Sequence, residues 1–269
     1  MSRTGIEYVD CQAQHWDRND WVRGACLYGL MPANGLTYAP PQSCACYLVA
    51  KLSGLNALAP ESPSRLLPKA VDGADRLVRG PAYDALANPQ STIRNRQSQD
   101  WPTYRHDETR GGFTSVSVRA ELRCSWQTAV GGKLSSPVVA EGKVFVASID
   151  RHAVHALVAA SGRKLWSFTA GGRVDSPPTV WQGGVLFGSA DGYVYCLRAD
   201  DGVLAWRFRA APVDRRLMAF EQLESAWPVH GSVLVHDGIV HCVAGRSMFL
   251  DGGMRYLRLD AATGKVVSE

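Results

Sequence analysis

Trp126-Gln-Thr-Ala-Val-Gly131-Gly132-Lys-Leu-Ser-Ser136-Pro137 returns forty residues later as Trp166-Ser-Phe-Thr-Ala-Gly171-Gly172-Arg-Val-Asp-Ser176-Pro177, and Trp206 follows after forty more. Leu157 and Leu197 keep step, each nine residues before the next tryptophan. Inside one period the chain divides into short apolar or β-branched runs at 136–140, 143–148, 153–157 and 164–168, parted by Glu141-Gly142, Asp150 and Ser161-Gly162. The second period repeats them at 176–180, 185–189, 193–197 and 204–208, with turns at Gly183-Gly184, Asp191-Gly192 and Asp201-Gly202. Runs of this length between glycine or aspartate turns make hairpin ladders and not helices. A self-similar period near forty, built of four such strands, predicts an all-β chain of β-propeller blades.

A four-stranded sheet has two faces and cannot bury both without a neighbour. The recurring tryptophans supply a means, since a large flat ring at the end of the fourth strand can wedge between blades and bury on the order of 200 Å². The stretch Ala156-Leu-Val-Ala-Ala-Ser161-Gly162-Arg163-Lys-Leu-Trp166 resembles the tryptophan-docking motif of PQQ-like (quinoprotein-type) repeats, Ala-x-Asp-x-x-Thr-Gly-Lys-x-x-Trp. Val158, Ser161 and Arg163 depart from it. In the second copy Gly202 and Trp206 match while Cys196, Arg198 and Asp201 differ; the third, Asp260-Ala-Ala-Thr263-Gly264-Lys265, has Arg258 in place of Ala and Ser268 in place of Trp. The resemblance implies a quinoprotein alcohol dehydrogenase-like propeller in which Trp126, Trp166 and Trp206 dock with Gly162, Gly202 and Gly264.

The remaining chain is read outward from this core. Residues 24–59 read as one blade, with strands beginning at Leu36-Thr-Tyr-Ala39 and at the Cys44-Ala-Cys46 run, and they resemble a segment of large bacterial multi-propeller proteins. Residues 60–99 turn rich in Pro, Ser, Arg and Asn, which predicts a linker or long excursion with a short helix near 82–87. Asp100-Trp-Pro-Thr-Tyr-Arg-His-Asp107 is similar to the opening of a PQQ-like propeller. The expected organisation is a terminal blade of a preceding propeller with a Cys-rich block at 1–59, the excursion at 60–99, and the first three blades of a new propeller at 100–269. A propeller removes its exposed strand edges by closing a ring of four to eight blades. Three blades predict an incomplete ring, a fragment of a longer protein.

Two interruptions break the period. Residues 210–227, with Asp214-Arg-Arg216 and Glu221-Gln-Leu-Glu224, separate Trp206 from the strand at 229–235, and the loop 245–253 parts the strands at 239–244 and 254–259. Loops on a rigid scaffold are where contact residues accumulate.

The composition excludes more than it selects. Lys plus Arg number 29 against 25 Asp plus Glu, a net charge of +4. Arginines gather at 94, 96, 105 and 110 and at 207, 209, 215 and 216 with no aromatic platform or groove motif, so they read as solvated loop charge, and no nucleic-acid partner is expected. No run approaches the eighteen apolar residues of a membrane span, and the N-terminus lacks the apolar segment of a signal peptide. A periplasmic or cell-envelope location follows from the resemblance alone.

Of the seven cysteines, Cys26, Cys44 and Cys46 form the sharpest local cluster, open to a disulfide staple (with Cys11 as another partner) or a soft-metal site with His15. Cys44 and Cys46 share one face of a strand too far apart, and too parallel, to bond one another. Their spacing is not that of zinc pairs. Cys124, Cys196 and Cys242 read as small buried hydrophobes. His152, His155, His236 and His241 at strand ends read as surface or satisfied core residues.

Two functions remain. The resemblance implies for a quinoprotein dehydrogenase PQQ stacked between a tryptophan and a disulfide of adjacent cysteines, with calcium on acidic and amide oxygens and an aspartate base. The sequence has no Cys-Cys pair, and no position can be assigned as calcium ligand or base. The competing reading is a non-catalytic binding or scaffold module, whose partners are other proteins or further blades of the same polypeptide. Blade stacking and variable loops suffice for it.

Overall fold

The computed structural model describes residues 5–24, 26, 28–41, 52, 54–60, 73–87, 100–118 and 120–269. At the N-terminal end β1 (Ile6–Asp10) and β2 (His15–Asn19) form a hairpin, and β3 (Met31–Ala33), β4 (Leu36–Ala39) and β5 (Asn56–Leu58) form a three-stranded sheet. A small core of Ile6, Val22 and Ala39, backed by Trp21, Leu30 and Leu58, joins the two. Cys44 and Cys46 lie outside the described residues.

After β6 (Leu77–Arg79) and the single helical turn α1 (Tyr83–Ala87), three antiparallel meanders follow. Blade one is β7 (Val138–Ala140), β8 (Lys143–Ser148), β9 (Ala153–Val158) and β10 (Lys164–Thr169). Blade two is β11 (Thr179–Trp181), β12 (Gly184–Gly188), β13 (Tyr193–Arg198) and β14 (Leu204–Arg209). A separate hairpin of β15 (Arg216–Ala219) and β16 (Gln222–Ser225) precedes blade three, which is β17 (Leu234–His236), β18 (Ile239–Ala244), β19 (Arg255–Asp260) and β20 (Val266–Ser268). The architecture is the all-β propeller type the repeat predicts, and the described blades do not close a ring.

The innermost strands start two or more residues later than the apolar runs suggest. Pro137, Pro177 and Pro178 lack the N–H that a ladder requires, so β7 and β11 begin beyond them. Before β17 the Val229 amide donates to the Ser189 carbonyl of blade two (3.0 Å), and Gly231 turns with φ +79°. Pairing therefore resumes only at Leu234.

Within 60–99 the described residues 73–87 pack on blade two. β6 pairs antiparallel with β14, Trp206 facing Arg79 and Phe208 facing Leu77, and makes blade two five-stranded. Arg76 donates to the Arg209 and Ala210 carbonyls at 2.9 and 3.2 Å and lies 4.7 Å over the Phe208 ring. Ala82 and Tyr83 then bury against the core shared by blades two and three.

Two cores lie between successive blades. Phe145, Val154, Ala156 and Trp166 of blade one meet Val185, Phe187, Tyr195 and Leu197 of blade two; Leu186, Val194, Cys196 and Trp206 meet Val240, Cys242, Leu257 and Leu259 of blade three. The 100–112 segment runs along the axial side of the innermost strands. Trp101 exchanges both backbone hydrogen bonds with Val139, Val180 N donates to the Pro102 carbonyl (2.7 Å), and Arg110 Nη2 donates to the Ser232 carbonyl (2.7 Å).

Candidate interaction surface

In each blade the turn between the third and fourth strands receives a tryptophan from the preceding unit. The Nε1–H of Trp126, Trp166 and Trp206 donates to the carbonyls of Ala159, Ala199 and Ala261 at 2.8, 3.0 and 3.2 Å. Gly162, Gly202 and Gly264 sit beneath these indoles with φ of +68°, +73° and +69°. A Cβ there would come within 2.3, 2.7 and 2.6 Å of ring carbons, so glycine answers both the left-handed backbone and the close stacking. The ladder slips beside each docking position, at Lys164/Trp166, Cys196/Leu197 and Arg258/Leu259.

These docking turns lie at one end of the blades together with the first-to-second strand turns. The opposite end carries the second-to-third turns and the connections between blades, and both interruptions of the period fall there. The first, 210–227, forms the β15–β16 hairpin, which the sequence pattern did not announce. The Ala210 and Ala211 amides donate to the Gly192 carbonyl (2.9 and 3.1 Å), and the Ser225 amide donates to that of Ala190 (2.7 Å). Arg173 Nε donates to Glu224 Oε1 at 2.8 Å with both side chains nearly buried, and the Arg173 guanidinium lies 4.5 Å from the Phe220 ring centroid. His152 Nε2 meets Gln222 Oε1 at 2.8 Å, tying the hairpin to blade one.

The loop 245–253 is equally constructed. Arg246 places Nε and Nη2 at 3.2 and 3.0 Å from Asp251 Oδ2, and Arg215 of the inserted segment lies 3.3 Å from Oδ1. The second contact is an ion pair without hydrogen-bond alignment, since Oδ1 accepts no hydrogen bond. Asp251 thus joins the two interruptions. Beside the exposed charges of Asp214, Arg215, Arg216 and Glu221 they leave an apolar set in solvent: Phe249 is 84% exposed, Met248 75%, Phe220 65% and Leu223 52%. Exposed methionine and aromatic side chains on pinned loops suit protein contact, because they offer apolar area with little ordering left to lose. Toward the N-terminal module, Arg215 lies 5.9 Å over Trp21, and Gly54 packs against the Met218 backbone.

Between the inter-blade connections, His230 Nδ1 and Asp175 Oδ2 are 2.5 Å apart, and the Gly231 amide donates to Asp175 Oδ1 at 3.3 Å. Burial pushes the Asp175 carboxyl up, but the His230 hydrogen bond and charge outweigh it and hold the group below the ordinary carboxylate range.

Several sequence expectations are corrected by these contacts. Cys124 is exposed, because the described residues of 113–125 form no strand against a blade, whereas Cys196 and Cys242 are buried. The cluster expected of Cys26, Cys44 and Cys46 is not corrected: Cys11 and Cys26 are exposed free thiols, and Cys44 and Cys46 lie outside the described residues. Of the arginines read as solvated charge, Arg94 and Arg96 lie outside the described residues, while Arg207 and Arg209 lie 5.0 and 5.2 Å over Tyr193 and Arg110 lies over Tyr104. Tyr193 reaches Arg207 and Arg209 through the β13–β14 pairing, whereas Tyr104 lies in the same 100–112 segment as Arg110.

Four-stranded units stacked through indole wedges define a β-propeller of the quinoprotein-type repeat class. A family model described as outer membrane protein assembly factor BamB, a PQQ-like-repeat domain, matches residues 112–266, and the chain belongs to that family. BamB of Burkholderia pseudomallei (strain K96243) is 32% identical over 96 residues, covering 35% of this chain and 25% of that protein. The quinohemoprotein alcohol dehydrogenase of Pseudomonas putida HK5 superposes with a TM-score of 0.53 at 20% identity over 75% of this chain and 28% of its own. That of Comamonas testosteroni gives 0.50 at 22% identity over 69% and 29%. At such identity the dehydrogenases show shared fold. The chain spans about a quarter of the curated relative's length and under a third of either enzyme.

The described residues do not fit a quinone seat. The docking indoles of Trp126, Trp166 and Trp206 are spent on inter-blade glycines, and the described cysteines are single free thiols that supply no adjacent pair. The axial side of the innermost strands is taken by 100–112, beside a cavity of about 430 Å³ lined by Asp100, Thr103, Glu108, Glu141, Trp181 and Asp237. Among the described residues no three His, Cys, Asp or Glu side chains converge as a metal would require. No helix among them is long and apolar enough to cross a membrane.

Proposed function

We propose that this chain is a non-catalytic scaffold module of the cell envelope that binds a protein partner through the end of the propeller carrying 210–227 and 245–253. The carrying observation is the exposed apolar set of Phe220, Leu223, Met248 and Phe249 on two loops that Asp251 fastens together through Arg215 and Arg246. The family supports the reading: its description is that of an outer-membrane protein assembly factor, a role carried out between proteins. On the same reading residues 1–59 end a preceding propeller and 100–269 open a new one, with further blades as additional partners.

The test uses the full-length gene product in cells, with a photo-crosslinking amino acid at Phe249 and, as control, at Val267 on the outermost strand of blade three. A discrete crosslinked protein from position 249 and none from 267 supports the reading. The competing quinoprotein dehydrogenase is tested separately by adding PQQ and calcium to the purified protein. A stoichiometric quinone absorbance shift together with dye-linked alcohol oxidation would displace the scaffold reading.

A further inference from the structure

Before blade one the chain lays a strap, residues 126–134, across the face that this blade turns away from blade two. At one end of β9 the Trp126 indole and the Thr128 hydroxyl donate to the Ala159 and Gly162 carbonyls, each at 2.8 Å. At the other end Ser148 Oγ donates to the Gly131 carbonyl (2.7 Å), the Ile149 amide to that of Lys133 (2.8 Å), and the Ser135 amide to that of Ala147 (2.9 Å). Trp126, Thr128 and Val130 are partly buried while Gln127 and Ala129 are exposed, so alternate strap residues face the blade. Between the two sets of bonds the strap spans the length of β9.

His155 stands in the middle of that strand, paired across the sheet with Val146 and Ser167. It is 6% exposed, and neither ring nitrogen has a hydrogen-bond partner among the described residues. Both nitrogens are closed off already, so a further blade stacked on the strap does not reach them. The surroundings disfavour a proton. Arg151 and Lys164 are cationic, His152 is held by Gln222, Asp150 is exposed, and Lys133 is the only charge on the strap. Burial first, and then the Lys164 and Arg151 charges, hold the imidazole below its ordinary value.

The next repeat shows what blade one lacks. Forty residues on, His155 is replaced by Tyr195 and Arg151 by Asp191, and the buried Tyr195 hydroxyl donates to Asp191 Oδ2 at 2.5 Å. Blade two gives the polar side chain at this position its own carboxylate, where blade one sets a guanidinium.

A buried cation without a partner is far costlier than a neutral imidazole. We propose that His155 is an acid-sensitive latch: the neutral ring keeps the 126–134 strap and its Trp126 wedge seated on blade one, and protonation unseats them. With the strap lifted the ring meets water and takes its proton near the ordinary value of about 6.5. The seated form is therefore favoured above that pH and loses ground as pH falls below it. The latch lies at the seam before blade one and is independent of the loop surface proposed above.

The experiment is hydrogen exchange of the full chain, resolved to single amides, with protection factors corrected for the intrinsic rate and compared between about pH 7.5 and about pH 5, either side of the free imidazole's value. The Ser135 and Ile149 amides report the strap; the Ala190 amide, which donates to the Arg173 carbonyl (2.8 Å), reports the matching seam between blades one and two. On acidification Ser135 and Ile149 should lose about tenfold protection or more, and Ala190 should keep its own. His155→Leu should abolish the loss, and His155→Gln, which cannot titrate either, covers the case in which the leucine variant fails to fold. Arg151→Asp copies the blade-two carboxylate and should flatten or reverse the pH dependence. The proposal is overturned by no loss in the wild type, by an equal loss at Ala190, by a wild-type loss in either folded His155 variant, or by an unchanged loss in Arg151→Asp.

Discussion

Replacing Gly202 with Ala probes the indole wedge directly. Its φ of +73° disfavours any L side chain, and the added methyl would stand 2.7 Å from Trp166 Cδ2 and Cε3. Left-handed backbone costs roughly 1–2 kcal/mol and overpacking a filled interface roughly 1–3 more, so the sum is about 2–5 kcal/mol. Gly142 supplies the matched control. It turns with φ +71°, and a methyl placed there would meet nothing within 4 Å, so Gly142→Ala should carry the backbone cost of about 1–2 kcal/mol alone. The assay is urea unfolding of both variants and the wild type, followed by tryptophan fluorescence, with the midpoint shift taken at constant slope. The difference between variants reports the stacking. Equal destabilisation by Gly202→Ala and Gly142→Ala would refute the claim that the glycine is required by the ring above it.

Three further outcomes follow from the same contacts. Arg173→Ala should destabilise by about 3–5 kcal/mol because it strands a buried Glu224 carboxylate, and limited proteolysis should then cut first within 216–225. Asp175 has a depressed folded-state pKa, so its contribution is present above the unfolded value near 4 and is lost as pH falls through the folded value. Urea midpoints should therefore fall below about pH 4 in the wild type and fall less steeply in Asp175→Asn; identical pH slopes would remove Asp175 from the account. Alkylation of the native protein, read by peptide mass spectrometry, should modify Cys124 quickly. Cys196 and Cys242, whose thiols burial pushes up (that of Cys242 to about 12), should react only on unfolding, and labelling of Cys196 at the rate of Cys124 would contradict the blade-two core.

The repeat was legible because a blade is a local object. Its four strands are consecutive, its turns carry their own Gly or Asp, and the docking glycine lies four residues before the next tryptophan in the first two copies. What escaped the sequence is non-local or lacks period. β6 joins β14 across more than a hundred residues of chain, and three residues reading Leu-Val-Arg carry too little pattern to announce an edge strand. The β15–β16 hairpin turns at Phe220-Glu221, both at positive φ, with no glycine to mark it. The pinning pairs Arg173–Glu224 and Arg215–Asp251 join residues on different connections, so their charges read as solvent-facing until the sheets bring them together. The loop surface itself was foreshadowed only as two breaks in the period.

Both breaks fall at the same end of the blades for a physical reason. At the docking end each turn must hold a glycine under the preceding unit's indole and a carbonyl within reach of its Nε1–H, so inserting residues there would displace a contact between blades. The opposite end closes no such contact. Trp126 and Trp166 reach carbonyls 33 residues ahead, whereas Trp206 reaches Ala261, 55 residues ahead, and the docking geometry is unchanged. The 22 additional residues are taken up by the hairpin and the 245–253 loop without moving the wedge. A stacked-blade scaffold therefore tolerates elaboration on one end only, and that end collects the exposed aromatic and methionine side chains a partner can use.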